Sequence, residues 1–259
     1  MLISVQAALV VGLRPILPAA LRGLRSSAWA WALLPVSLGG TIAILAAVPS
    51  LAQVYAWVAA IGVPILAAVA LGAALRPRGR AVSLVVGLAA AAGLLAVAWA
   101  GEGLAAQGAA VALTALSAST LASYLAQLAP SVVLRVALVA MAVLDAILVF
   151  GHLLEGPNQT LNAAGAGASL PHFQVAVFGH ALIGYGDLFV AAVLGCVLAE
   201  ATRPAWPARW VGAVVVLALS ALFDLLFLVV DSLPATVPVA VALLIFEADR
   251  VRKRRRRRS

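Results

Sequence analysis

Charge is what this chain has least of. Only 10% of its 259 residues are Asp, Glu, Lys or Arg, and nine of those are acids. A soluble domain carries about a quarter, so a soluble enzyme and any sizeable extramembrane domain are excluded. There is a single cysteine, Cys196, which rules out an internal disulfide scaffold and paired-cysteine metal sites. It lies in an apolar run and is expected simply to pack. Met1–Leu13 also lacks a basic n-region, and Arg14 follows at once, so no cleavable signal peptide is expected. What fills the chain instead is oil. It is 65% hydrophobic, with a mean hydropathy of +1.13, and its apolar runs are continuous and Ala/Leu-rich. Alternating strands of a membrane barrel do not look like this. The composition fits an all-α polytopic membrane protein.

The net charge of +8 does not point to nucleic acid. Eight of the seventeen basic residues lie between Arg250 and Arg258, directly after an apolar segment. A juxtamembrane cluster of that kind anchors topology and attracts anionic lipid.

Eight spans are expected from the apolar runs: Ser27–Val48, Leu51–Leu75, Ala81–Ala100, Leu104–Leu128, Val132–Leu154, Phe173–Leu198, Trp210–Val230 and Leu233–Phe246. Met1–Leu21 makes a ninth if it crosses, although Arg14 and two prolines interrupt it. The expected bundle therefore has nine transmembrane helices, or eight if Met1–Leu21 does not cross. Residues 1–130 read as a scaffold, 131–249 as the functional half and 250–259 as a basic tail. Abundant Ala and Gly let backbones approach closely, which drives helix association in lipid. Every Lys and Arg falls on one side of this arrangement, and the opposite loops hold Glu102, Glu155 and Asp231. The positive-inside rule then makes the C-terminus cytoplasmic in a plasma membrane.

Three carboxylates sit inside apolar spans: Asp145, Asp187 and Asp224. Insertion of an aspartate at mid-membrane costs about 2.5–3.5 kcal/mol, so each needs a reason, interhelical hydrogen bonding being the simplest. Asp145 is ten residues past Arg135 and ten before Glu155, about 15 Å from each. Asp187 lies midway between Pro171 and Arg203 on the next, returning span. The two can meet near the midplane, whereas Asp224 lies nearer the outer surface. Two carboxyls in contact at low dielectric cannot both ionise cheaply, so they share one proton. That mixed state suits hydrolysis: the ionised member takes a proton from water and the neutral one donates to a carbonyl. Neither metal nor organic cofactor is required.

The local sequence is also suggestive. Asp187 closes Gly184-Tyr185-Gly186-Asp187, a GxGD motif, Asp145 lies in the preceding span, and the last span opens Leu233-Pro234-Ala235-Thr236. In order and placement this resembles the presenilin and signal-peptide-peptidase family of intramembrane aspartyl proteases, whose features fall in helices six, seven and nine. The resemblance covers Val132 to Phe246. It implies a presenilin-like bundle, Asp145 and Asp187 as the catalytic pair, and Leu233–Thr236 and the GxGD residues shaping a site for membrane-helix substrates. Differences are Leu144 where the family usually has tyrosine, Thr236 where it has leucine, and Pro238 one position late. Gly184 and Gly186 clear space beside the acid. Pro234 and Pro238 lack N–H groups, so an irregular start to the last span is expected.

Other readings of the same acids stay open. His152 and His180 each lie seven residues outward of an aspartate, on the same helix face if both spans are helical. Acid and imidazole along one path would also suit a proton- or ion-coupled transporter. No His-x3-His pair supports a metal site. A prepilin-peptidase-like enzyme carries GxGD too, but with a lysine just after it, whereas Leu188 follows Asp187 here.

Overall fold

The computed structural model describes residues 2–12, 14–18, 48, 51–74, 80–151, 171–179, 181–201, 205–226 and 234–256. Among them are eight helices and one strand pair. They are α1 Leu2–Val11, α2 Leu51–Ala74, α3 Arg80–Ala100, α4 Gly103–Leu128, α5 Ser131–Phe150, β1 Val175–Phe178, β2 Ala181–Gly184, α6 Tyr185–Ala201, α7 Ala205–Leu226 and α8 Val237–Arg256. Five helical segments are long and apolar enough to cross a bilayer: Leu51–Ala74, Val82–Ala100, Gly103–Leu128, Ser131–Phe150 and Pro207–Leu225. The chain is a mostly helical, multi-pass membrane protein. The expected span Ser27–Val48 lies outside the described residues except for Val48.

Where the outer surface is apolar, it is apolar in stripes. Val54, Trp57, Val58, Ile61 and Ile65 are exposed along one face of α2, and Val211, Val214, Leu222 and Leu225 along α7. Spacings of three, four and seven residues along α2, and of three, eight and eleven along α7, place each set on one side of its helix, a side suited to lipid. By contrast α6 is buried at every residue from Val190 to Leu198. It is the axis of the larger core, which gathers residues of α1, α4, α5, α7 and α8 around it. Small residues set the closest approaches. A side chain at Gly195 would collide with the backbone of Val10, and one at Gly87 with the backbone of Ala68 and Gly72.

Three expectations are corrected. First, Phe173–Leu198 is not one helix. Val175–Phe178 and Ala181–Gly184 form an antiparallel hairpin, with Val175 opposite Gly184 and Phe178 opposite Ala181, and the helix begins only at Tyr185. Gly179 opens the two-residue loop with φ +62°, a backbone conformation that costs glycine little. The hairpin's β-branched residues suit strands, and their apolar character hid them inside a membrane-like run. Strand backbone within a bilayer is tolerated only where protein satisfies it. Here the ladder does so, Gln107 Oε1 accepts the Gly179 N–H at 2.7 Å, and Ala176 and Ile183 are buried in the core. The all-α expectation is corrected to this extent.

Second, the helix within Met1–Leu21 stops at Val11. Ten residues reach about 15 Å, half a bilayer core. Residues 14–18 are non-helical, because Pro15 and Pro18 cannot continue the ladder. Gln127 of α4 satisfies the freed backbone: its Nε2 donates to Pro15 O and Ser123 O at 2.9 Å each, and its Oε1 accepts Leu17 N–H at 2.9 Å. Gln127→Leu strands these groups at about 1–3 kcal/mol each. The purified variant is expected to melt well below wild type, whereas Gln127→Glu, which still accepts from Leu17, loses less.

Third, the last helix begins at Val237 rather than Leu233 and continues past Phe246 to Arg256. Pro234 to Thr236 precede it as a turn. Strong helix formers and the pairs Glu247–Arg250 at 3.6 Å and Asp249–Lys253 at 2.6 Å carry the helix through the basic segment.

Candidate functional site

Two rungs fix the register of α5 against α8. Near one end Arg135 Nε meets Glu247 Oε1 at 3.3 Å. Ten residues further along α5, and eleven back along the chain from Glu247, Thr236 Oγ1 donates to Asp145 Oδ2 at 2.6 Å. The Thr236 N–H approaches the same oxygen at 3.4 Å. The helices are therefore antiparallel, and Asp145 lies about 15 Å from the ionic rung, deep in an apolar span. Its second carboxylate oxygen is free of any such bond among the described residues.

Asp187 comes from the first turn of α6. Its Oδ2 accepts the Gly184 N–H at 3.1 Å, the reach-back of a helix N-terminal carboxylate to the residue that opens the helix. The hairpin thus ends on this acid, with Tyr185 N–H continuing to Gln174 O at 3.0 Å. Because α5 packs on α6, Asp145 is close enough for its charge to act on Asp187. Asp145 and Asp187 are each half-buried as residues.

The glycines of the motif differ. A Cβ at Gly184 would stand 3.1 Å from Asp187 Oδ2, whereas one at Gly186 would meet nothing within 4 Å. Gly184 keeps room for the carboxylate, and Gly186 leaves open space beside it. Gly184→Ala is expected to displace Asp187 and cut any activity of the pair about tenfold or more, as misplacement of a reacting group does. Gly186→Ala should fold and melt like wild type, which thermal unfolding of the two variants checks. Tyr185 is anchored by its hydroxyl to Ser117 Oγ at 3.0 Å and packs between the two apolar cores.

Of the turn before α8, Pro234 is buried, Ala235 half-buried and Thr236 5% exposed. Leu233, His152 and His180 lie outside the described residues. Asp224 is exposed on α7 and has no hydrogen bond or ion pair among the described residues. Nor do any three His, Cys, Asp or Glu side chains cluster among them as a metal would need.

Sequence reasoning missed Gln6. This buried amide on α1 donates from Nε2 to Ala235 O at 3.2 Å and accepts Ser220 Oγ–H of α7 at Oε1, 3.3 Å. It therefore ties the Pro234–Thr236 turn to two other helices, and Thr236 ties the turn to Asp145. A lone Gln in an apolar helix was the available signal.

Chemically, the assembly offers two acids of different helices within electrostatic reach, each held by at least one donor, with small residues opening one side. No protein-family model matches the chain, and no curated protein matches it, so these side chains carry the functional argument.

Proposed function

We propose that the protein is an intramembrane aspartyl protease of the presenilin and signal-peptide-peptidase type, with Asp145 and Asp187 as its catalytic pair. The observation that carries this is the convergence of three separate segments: Asp145 from α5, Asp187 from α6 and Thr236 ahead of α8 bonded to Asp145. In the reaction the ionised carboxyl removes a proton from water as the water oxygen bonds to the scissile carbonyl carbon. The neutral carboxyl gives its proton to the carbonyl oxygen. The tetrahedral intermediate then collapses: one of its hydroxyls returns a proton to the carboxyl that had donated one as the C=O re-forms, the C–N bond breaks, and the leaving nitrogen takes the proton first removed from water. The pair returns to its shared-proton state without metal or cofactor.

A peptide bond inside a helix is shielded, so substrate must be extended to react. β2 offers a place for this, with Ala181 and Leu182 exposed just before the acid. A two-stranded sheet keeps outer edges, and an extended segment can add to one of them by main-chain hydrogen bonds. The substrates in this proposal are single membrane helices entering with a cytoplasmic N-terminus, and the enzyme sits in the plasma membrane with its C-terminus cytoplasmic. Its basic tail lies against anionic lipid, and nucleic acid plays no part. The test is incubation of the purified protein, in liposomes, with a panel of single-span peptides and mass spectrometry of the products. Cleavage within the apolar stretch is expected. Intact peptides throughout, together with pH-driven solute uptake by the same liposomes, would replace the protease with a transporter.

A further inference from the structure

A second feature lies away from the aspartates, on the lipid side of α1 and α7. A groove of about 730 Å³ runs between these helices, lined by Ser4, Ala8, Val214 and Leu217 along its length and by Arg14 and Arg209 at one end. Ser4, Ala8 and Val214 are exposed. From Arg209 to Leu217 the groove covers eight residues of helix, about 12 Å.

The two guanidiniums are close enough to repel, and neither has an acidic partner among the described residues. Both are committed to backbone: Arg14 Nη2 donates to Gly195 O, and Arg209 donates to Val10 O and Gly12 O. These contacts fix the side chains in place but supply only carbonyl dipoles. Arg14 Nε is buried with no hydrogen-bond partner. Two like charges held side by side at the end of an apolar groove call for an anion.

We propose that the groove binds one anionic phospholipid, its phosphodiester between Arg14 and Arg209 and an acyl chain along Ala8, Val214 and Leu217. Arginine suits the phosphate because its planar fork presents paired donors. The apolar lining matches an acyl chain and offers nothing to a free ion. A membrane helix is a poorer occupant, since the flanks of such helices on the positive side are themselves basic and would be repelled.

The test is native mass spectrometry of the full chain in detergent, titrated with phosphatidylglycerol, phosphatidylcholine or inorganic phosphate. One saturable phosphatidylglycerol is expected, retained at collision energies that strip phosphatidylcholine. Arg209→Gln should weaken it about fivefold, the worth of one basic residue at a lipid surface. Because Arg209 also holds α1, a second variant is needed. Ala8→Trp fills the groove from an exposed position, leaves both arginines in place, and should abolish the bound lipid. Equal retention of phosphatidylcholine, equal binding of inorganic phosphate, or an unchanged Ala8→Trp would overturn the site. So would displacement of phosphatidylglycerol by a single-span peptide with neutral flanks, which would give the groove to a helix.

Discussion

Asp145→Asn and Asp187→Asn should each reduce peptide cleavage about ten-thousandfold or more, the scale on which single members of a hydrolytic unit fail. Both variants should still fold. An asparagine at 145 keeps an oxygen to accept from Thr236 Oγ1, whose bond to Asp145 Oδ2 is 2.6 Å. At 187 an amide oxygen can still accept the Gly184 N–H. What is lost is the proton traffic. An amide can neither take a proton from water nor pass one to a carbonyl at neutral pH, and with one acid gone there is no partner to share charge with. The double variant should therefore be no worse than either single one, because the pair acts as a unit. Wild-type rates should fall on both sides of an optimum, as a pair needing one proton requires. The readout is single-turnover cleavage of one peptide in liposomes, with melting temperature as the folding control. Cleavage by both single variants at the wild-type rate would place the chemistry elsewhere.

The parts of the fold that were legible in the sequence are those where hydrophobicity alone decides. The expected Leu51–Leu75 and Leu104–Leu128 agree with Leu51–Ala74 and Gly103–Leu128 because junctions bearing proline, charge or glycine bound a long uniform run. The hairpin was not legible for the complementary reason. Val175 to Ile183 is as apolar as any helix, and a short apolar run cannot be assigned by periodicity. Its signals were local: β-branched and aromatic residues on both sides of Gly179-His180, a pair suited to a two-residue loop. At the site, Asp145 and Asp187 stood out because a charge in hydrocarbon is costly. Thr236 stood out only by its place in a motif. Gln6 and Gln127 did not stand out at all, since neutral amides are cheap enough to go unnoticed until their partners, Ala235 O and the backbone around Pro15, are seen in space.

Thr236 is where this sequence departs from the Pro-Ala-Leu pattern, and the departure supplies a donor that leucine lacks. Its Oγ1–H and N–H both address Asp145 Oδ2, leaving the other oxygen for water. A hydrogen bond to a charged group contributes about 1.5–3 kcal/mol. Thr236→Val keeps the shape and removes the hydroxyl, so kcat is expected to fall about tenfold to a hundredfold. KM should stay nearly unchanged, because the lost bond orients the acid and touches no substrate. Thr236→Ser restores the donor and should recover most of the rate. Thr236→Leu separates two roles. If the residue only packs beneath the substrate, leucine should be at least as active as wild type; if it orients Asp145, leucine should fail as valine does. Because Gln6 holds the carbonyl of Ala235 next door, Gln6→Leu should lower kcat in the same sense. Combined with Thr236→Val it should add little, since both act by holding one carboxylate. Additive losses would show instead that the amide and the hydroxyl serve different ends.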